Sequence, residues 1–142
     1  MHDDGDRKLE AVLARAQAAV ADLAKSFEAS AVVDLDRCAA FLNTARENPA
    51  GRADAVKEIY GIAHNLKGQG SSFGYPLITR IGQSLCQLTR PQRDFSDADL
   101  GIVQGHLDAI RLILAKEIKG AGGEAGDKPA ARLETLVTRT HT

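Results

Sequence analysis

One histidine in this chain has the neighbours that nucleophilic chemistry requires. His64 has Gly61 before it, Lys67 three residues after it and Gly68 four residues after it. In an α-helix these spacings place each neighbour about one turn from the histidine. A lysine at that distance offsets negative charge, and the glycines leave the imidazole open to a large group. The set favours a nucleophilic or phosphate-carrying histidine over a surface histidine without a role.

The surrounding residues predict a helix that turns His64 toward solvent. Val56, Ile59, Ala63 and Leu66 recur at spacings of three and four, which is typical of a helix with one apolar face. At 100° per residue His64 lies about 140° from that face. The same exposed arc carries the candidate site residues Lys57, Gly61, Lys67, Gly68 and Ser71. Each glycine lowers helix stability by roughly 1 kcal/mol relative to alanine. Because core packing does not require them on an exposed arc, we expect them to serve access to His64.

The stretch His64-Asn65-Leu66-Lys67-Gly68, followed by Gly74, resembles the H-x-L-K-G-(x5)-G signature of histidine-containing phosphotransfer (HPt) domains. The resemblance covers roughly residues 30–120. It implies that His64 accepts a phosphoryl group, that Lys67 stabilises this group and that Gly68 leaves room for it. Many members carry a glutamine near the phosphohistidine at the position of Cys86 here. Two nearby glutamines, Gln83 and Gln87, are candidates for its hydrogen bond.

The same resemblance implies partners and cofactors. The phosphoryl group would pass between His64 and aspartates of receiver domains, which belong to response regulators or hybrid histidine kinases. The chain would need no cofactor or metal site of its own, since Mg²⁺ would come from the acidic pocket of the receiver. Nothing in the sequence resembles an ATP site, so no kinase activity of its own is expected. The alternative is a helical adaptor that binds a partner through the same face and carries out no chemistry.

Composition excludes several other classes. The chain has 142 residues and a net charge of −1, with no Lys/Arg cluster interleaved with its few aromatic residues. Nucleic-acid binding is therefore not expected. The start of the chain is acidic and polar, and no apolar run reaches the ~20 residues of a membrane span. Cys38 and Cys86 lie far apart, so neither a zinc site nor a disulfide is predicted. We expect a cytoplasmic protein without membrane contact.

Helical periodicity continues on both sides of the central stretch. Residues 7–28 form an amphipathic pattern, and residues 31–47 form a second one. The spacing of the first pattern suits packing within the chain or a short coiled coil with a second copy, so the oligomeric state stays open. Asn48 is the expected N-cap, and Pro49 the first residue, of the His64 helix, which should end near Ser71.

The second half of the chain predicts two more helices and a tail. Pro76 suits the first turn of a helix that stops before Pro91. Ser96 and Asp99 form a capping box for the next helix, with Phe95 and Leu100 as a hydrophobic staple. Lys116 and Lys119 suit the end of that helix before Gly120. The stretch from Gly120 to Asp127 predicts a flexible linker, followed by a weakly docked helix or disordered tail.

These elements predict an all-α protein, an up-and-down four-helix bundle with an additional N-terminal helix. The expected parts are an N-terminal amphipathic helix at 1–29, the HPt-like bundle at 30–120 and a flexible C-terminal tail at 121–142. Rival chemistries fit poorly. No glutamate has a histidine three residues on, as di-iron bundles need, and no strand precedes a glycine-rich stretch. The other histidines, His2, His106 and His141, are interpreted as structural or surface residues.

Overall fold

The structure, a computed structural model, describes residues 2–91, 94–120 and 123–140. Within these ranges it is all-helical. The five α-helices are α1 (His2–Glu47), α2 (Arg52–Gly70), α3 (Pro76–Leu88), α4 (Asp97–Ala115) and α5 (Gly123–Thr140). Short 3₁₀ turns at Pro49–Gly51 and Ser71–Phe73 flank α2. The predicted all-α class is confirmed for this part of the chain. None of these helices combines the length and the apolar composition that a membrane crossing requires.

The N-terminal region differs from the prediction of two helices, because α1 runs unbroken through residues 28–31. This stretch, Glu28-Ala29-Ser30-Ala31, contains neither glycine nor proline, and buried Phe27, Ala31 and Leu35 continue one apolar stripe across it. No local signal ends the helix there. The expected boundary between 1–29 and 30–120 therefore falls inside a helix.

The junction between α1 and α2 also differs from the sequence prediction. Asn48 makes no capping hydrogen bond through its side chain, Pro49 opens a 3₁₀ turn and α2 begins at Arg52. The Arg52 guanidinium holds this corner: it donates to the carbonyl oxygens of Ala45 at 2.9 Å and Phe95 at 3.0 Å. It also donates to the carboxylate of Asp97 at 3.0 Å. One side chain thus joins the end of α1, the start of α2 and the start of α4.

The start of α4 agrees with the sequence prediction. The Asp99 amide donates to Ser96 Oγ at 3.1 Å, and the Ser96 amide donates to Asp99 Oδ2 at 2.9 Å. This is the predicted capping box. Such a box depends only on residues three apart, which is why the sequence reveals it.

The end of α4 comes earlier than the two lysines and Gly120 suggest. The helix stops at Ala115, and the Ile118 amide donates to the Ile113 carbonyl while the Glu117 amide donates to the Leu114 carbonyl. This pattern is a Schellman motif. Glu117, not a glycine, takes its left-handed position with φ of 49°.

The C-terminal region forms a packed helix from Gly123, where a linker up to Asp127 and then a weakly docked helix or disordered tail were expected. Helix α5 contacts α3 and α4, and it buries Ala130 and Val137. Arg80 on α3 donates to both carboxylate oxygens of Glu134, at 3.0 and 2.6 Å, and to Asp127 at 2.7 Å. The narrow apolar face of α5 gives little sign of this docking in the sequence.

Residues 121–122 and 141–142, including His141, lie outside the described residues, as does the side chain of His2.

Candidate functional site

Helix α2 exposes His64 on the face opposite the core. Ile59, Ile62, Ala63 and Leu66 are buried, whereas His64 is exposed. The imidazole lies in a shallow surface hollow with Tyr60, whose ring centroid is 6.4 Å from that of His64. Arg37 of α1 lines the same hollow. The apolar periodicity of α2 therefore places this histidine where a large partner can reach it.

The two glycines beside His64 face open space. A Cβ atom added to Gly61 or to Gly68 would meet no heavy atom within 4 Å, apart from its own helix backbone and chain neighbours. Both residues are exposed and helical, so neither close packing nor a left-handed backbone requires glycine there. What the absent side chains provide is clearance along α2 on both sides of the imidazole.

Lys67 lies one turn from His64, at a point where α2 and α3 approach each other closely. A Cβ added to Gly82 of α3 would lie 3.0 Å from the backbone nitrogen of Lys67 and 3.1 Å from its Cα. Only a glycine allows the helices to come this close without a shift. The side chain of Lys67 is half-buried, while its backbone is packed against α3.

Thr79 fixes the end of α2 just beyond Lys67. Its hydroxyl donates to the Lys67 carbonyl at 2.9 Å and accepts from the Ser71 amide at 2.8 Å. The carbonyls of the last helical turn have no partner within the helix itself, and Thr79 supplies one. This contact holds the backbone that carries Lys67 in a fixed position relative to α3.

The remaining predicted site residues lie around this centre. Lys57 is exposed about two turns before His64, and Ser71 is exposed at the other end of α2. On α3, Gln83 is half-buried directly after Gly82, and Gln87 is exposed one turn further. The Oε1 atom of Gln83 is buried and accepts no hydrogen bond from the residues described. Gln83 therefore has an unused hydrogen-bond acceptor and directly follows Gly82, the residue of α3 that packs against Lys67.

Comparison with models of known protein families, with characterised proteins and with solved structures gave no match.

Cys86 is a buried, apolar side chain close to Lys67. The thiol is buried, and burial raises its pKa, while the charge of Lys67 acts in the opposite direction. A buried thiol with a raised pKa stays protonated and behaves as a small apolar group. At position 86 the cysteine therefore contributes apolar packing and not the hydrogen bond that a glutamine side chain could make.

Sequence reasoning missed four residues around the site. Tyr60 precedes His64 by four residues, a spacing that places both on one side of a helix and could have revealed it. Arg37, Thr79 and Gly82 belong to other helices. Their proximity depends on how α1 and α3 pack on α2, and no spacing within the sequence shows this.

His106 is fully buried, and both of its ring nitrogens make contacts within the protein. Its Nδ1 lies 2.7 Å from the Ile102 carbonyl oxygen, and its Nε2 lies 2.8 Å from Ser84 Oγ. Because a carbonyl only accepts, Nδ1 carries the hydrogen and Nε2 accepts from the serine. Burial lowers the pKa of His106. A neutral, fully buried imidazole therefore joins α4 to α3.

Proposed function

We propose that this chain is a histidine phosphotransfer protein of the HPt type. His64 would receive a phosphoryl group from the aspartyl phosphate of one receiver domain and return it to the aspartate of another. The observation that carries the proposal is the exposed His64 imidazole, cleared on both sides along α2, with the backbone of Lys67 packed against α3 one turn away. The resemblance of the His64 stretch to the HPt signature supports the same reading.

The proposed fold is an up-and-down four-helix bundle over residues 30–120. Two sets of contacts support antiparallel neighbours. Arg46 of α1 contacts Gln104 of α4, and Asp36 of α1 contacts Arg111 of α4. Residue numbers therefore rise along α4 as they fall along α1, which shows that the two helices are antiparallel. On α2 and α3, Lys67 lies beside Gly82 and Gly70 lies beside Thr79. Short connections between antiparallel helices are typical of such bundles.

The proposed transfer requires an unprotonated imidazole nitrogen as nucleophile and a positive charge near the phosphoryl oxygens. A neutral imidazole nitrogen attacks the phosphorus, an N–P bond forms, and the P–O bond to the receiver's aspartate breaks, which leaves a carboxylate. The reverse reaction delivers the group to a second aspartate. Lys67 would offset charge on the phosphoryl oxygens, which is how most phosphoryl transfer is stabilised. Mg²⁺ would come from the receiver, and the location would be cytoplasmic.

The decisive experiment transfers label from a phosphorylated cognate receiver in the presence of Mg²⁺. The wild type should acquire a label that is stable in alkali and labile in acid, as a phosphoramidate is. His64→Gln should remain folded and take no label, since exposed substitutions usually change stability by no more than about 0.5 kcal/mol. If a folded His64→Gln variant labels as well as the wild type, the proposal is wrong. A wild type that binds the receiver without taking label would favour the adaptor alternative.

Two further variants test the roles of the neighbours. Lys67→Ala should be labelled more slowly but still on His64, because a lysine that stabilises charge forms no bond to phosphorus. Lys116→Ala, which removes an exposed lysine at the far end of α4, is its control. Gly68→Gln should slow transfer by filling the cleared space. Its control is Gly101→Gln, since Gly101 is also an exposed helical glycine with open space around it. Equal rates in the Gly68 and Gly101 variants would contradict the steric role.

A further inference from the structure

The hydroxyl of Thr79 on α3 bridges two backbone groups at the end of α2. It accepts from the Ser71 amide at 2.8 Å and donates to the Lys67 carbonyl at 2.9 Å. These two groups are four residues apart, which is the spacing of the donor and acceptor of one α-helical hydrogen bond. A side chain from another helix therefore links the two ends of this turn of α2.

The turn that Thr79 holds is weak on its own. Its sequence is Lys67-Gly68-Gln69-Gly70, and each glycine lowers helix stability relative to alanine. Gly68 is exposed with open space around it, so no packing contact compensates for its missing side chain. At Gly70 an added Cβ would lie 2.8 Å from Thr79 Oγ1. One glycine thus leaves His64 open, and the other lets the threonine approach the turn.

The same turn carries the lysine that is nearest to His64 along α2. An intact helix keeps the Cα atoms of Lys67 and His64 about one turn apart. When a turn opens at its glycines, the helical hydrogen bonds no longer hold the two residues at this distance. The Lys67 ammonium group then spends less time close to the imidazole. The order of this turn therefore determines how well the lysine can act on a group bound to the histidine.

We propose that Thr79 is a positioning residue for phosphotransfer at His64, an inference that rests on the function proposed above. Its hydroxyl keeps the last turn of α2 closed, so that Lys67 stays one turn from His64. The two requirements of the site are thus met by different helices. Glycine in α2 provides access to the histidine, and a hydroxyl group from α3 restores the order that glycine removes.

The rate of labelling from a phosphorylated cognate receiver with Mg²⁺ tests this role. Thr79→Val removes the hydroxyl and keeps the branched shape of the side chain. It should slow labelling of His64 by about 2- to 10-fold, the factor that the loss of one typical hydrogen bond corresponds to. Thr79→Ser keeps the hydroxyl and should label at close to the wild-type rate. Both variants should fold, because the Tyr75 amide still closes the corner by donating to the Gly70 carbonyl at 2.8 Å.

A double-mutant comparison separates positioning from a general loss of stability. In the Lys67→Ala background, Thr79→Val should slow labelling no further, because the residue through which Thr79 acts is absent. Equal slowing by Thr79→Val in the wild-type and Lys67→Ala backgrounds overturns the proposal.

Thr89→Val is the matched control in the wild-type background. Thr89 is buried at the end of α3, and its hydroxyl donates to the Leu85 carbonyl at 2.7 Å. The variant removes a hydrogen bond of the same kind roughly 15 Å further along α3 than Thr79. It should leave the labelling rate unchanged. Equal slowing by Thr79→Val and Thr89→Val would show a loss of stability without positioning and overturn the proposal.

Hydrogen exchange tests the closed turn without any phosphotransfer. The Ser71 amide should exchange about 2 to 10 times faster in Thr79→Val than in the wild type. It should keep its wild-type rate in Thr79→Ser and Thr89→Val. An unchanged Ser71 rate in Thr79→Val overturns the proposal. A wild type that takes no label refutes the proposed function and this role with it, whereas a labelled wild type whose rate is insensitive to Thr79→Val refutes the positioning role alone.

Discussion

Replacing Gly70 by alanine adds one methyl group where the end of α2 meets the start of α3. The new Cβ would lie 2.8 Å from the Thr79 amide nitrogen and 2.9 Å from the Tyr75 carbonyl oxygen. Both are backbone atoms, so a rotamer change cannot relieve the contact, and α3 has to move. Gly68, two residues earlier in the same helix, has open space at the same position. The two glycines therefore form a matched pair that differs in the space around the added methyl group.

The expected effects have opposite signs. Alanine in place of glycine raises helix stability by about 0.5–1 kcal/mol. Gly68→Ala should show this gain. At Gly70 the methyl group adds an overpacking cost of about 1–3 kcal/mol. The net change in the free energy of unfolding at Gly70 should then be a loss of up to about 2.5 kcal/mol, whereas Gly68→Ala should gain stability.

Urea unfolding followed by circular dichroism measures both changes. With a slope of about 2 kcal/mol per M, the urea midpoint of Gly70→Ala should fall by up to about 1.2 M and that of Gly68→Ala should rise. Equal slopes in the two variants would show that the comparison concerns stability and not compactness. A Gly70→Ala protein as stable as Gly68→Ala would refute the close approach of α2 and α3 at this point.

Two other predictions concern single residues of α4 and its end. Glu117→Gly should raise the unfolding midpoint by relieving a left-handed backbone, a gain of up to about 1 kcal/mol in the same urea assay; a loss would contradict the Schellman geometry. His106 should make stability pH-dependent. Burial lowers its pKa below 6.5 in the folded state, so the unfolded chain takes up the proton first. Its contribution is complete above about pH 6.5 and is lost as the pH falls through the lowered pKa. Comparing unfolding at about pH 7.5 and about pH 5.5 in wild type and His106→Gln checks this, since the variant should lose less stability.

Local patterns predicted the parts of the site that belong to one helix. The exposure of His64 and the clearance at Gly61 and Gly68 follow from the apolar period of α2, which places the core on the other side. The capping box at Ser96 depends on residues three apart. In each case the interacting residues lie within one or two turns, so sequence spacing determines their geometry.

Contacts between different helices could not be predicted from the sequence, for a physical reason. Gly70 and Gly82 look like the exposed glycines Gly61 and Gly68 in sequence, yet they allow backbone contact between α2 and α3. The docking of α5 depends on Arg80, which lies 47 residues before Asp127. Such pairings arise from tertiary packing, which propensity and periodicity do not specify. For the same reason the break expected near residues 29–30 did not occur: packing of Phe27 and Ala31 on one continuous stripe favours a single helix.

The backbone of Lys67 is fixed, whereas the charge of Lys67 is free to move. Gly82 and Thr79 hold its peptide groups against α3. Within the described ranges no hydrogen bond or ion pair holds its ammonium group, which extends on four methylene carbons. In the proposed reaction the phosphorus moves from an oxygen of one molecule to a nitrogen of another, and the charge on its oxygens moves with it. A cation on a short flexible chain can stay close to those oxygens throughout the transfer while neither helix moves.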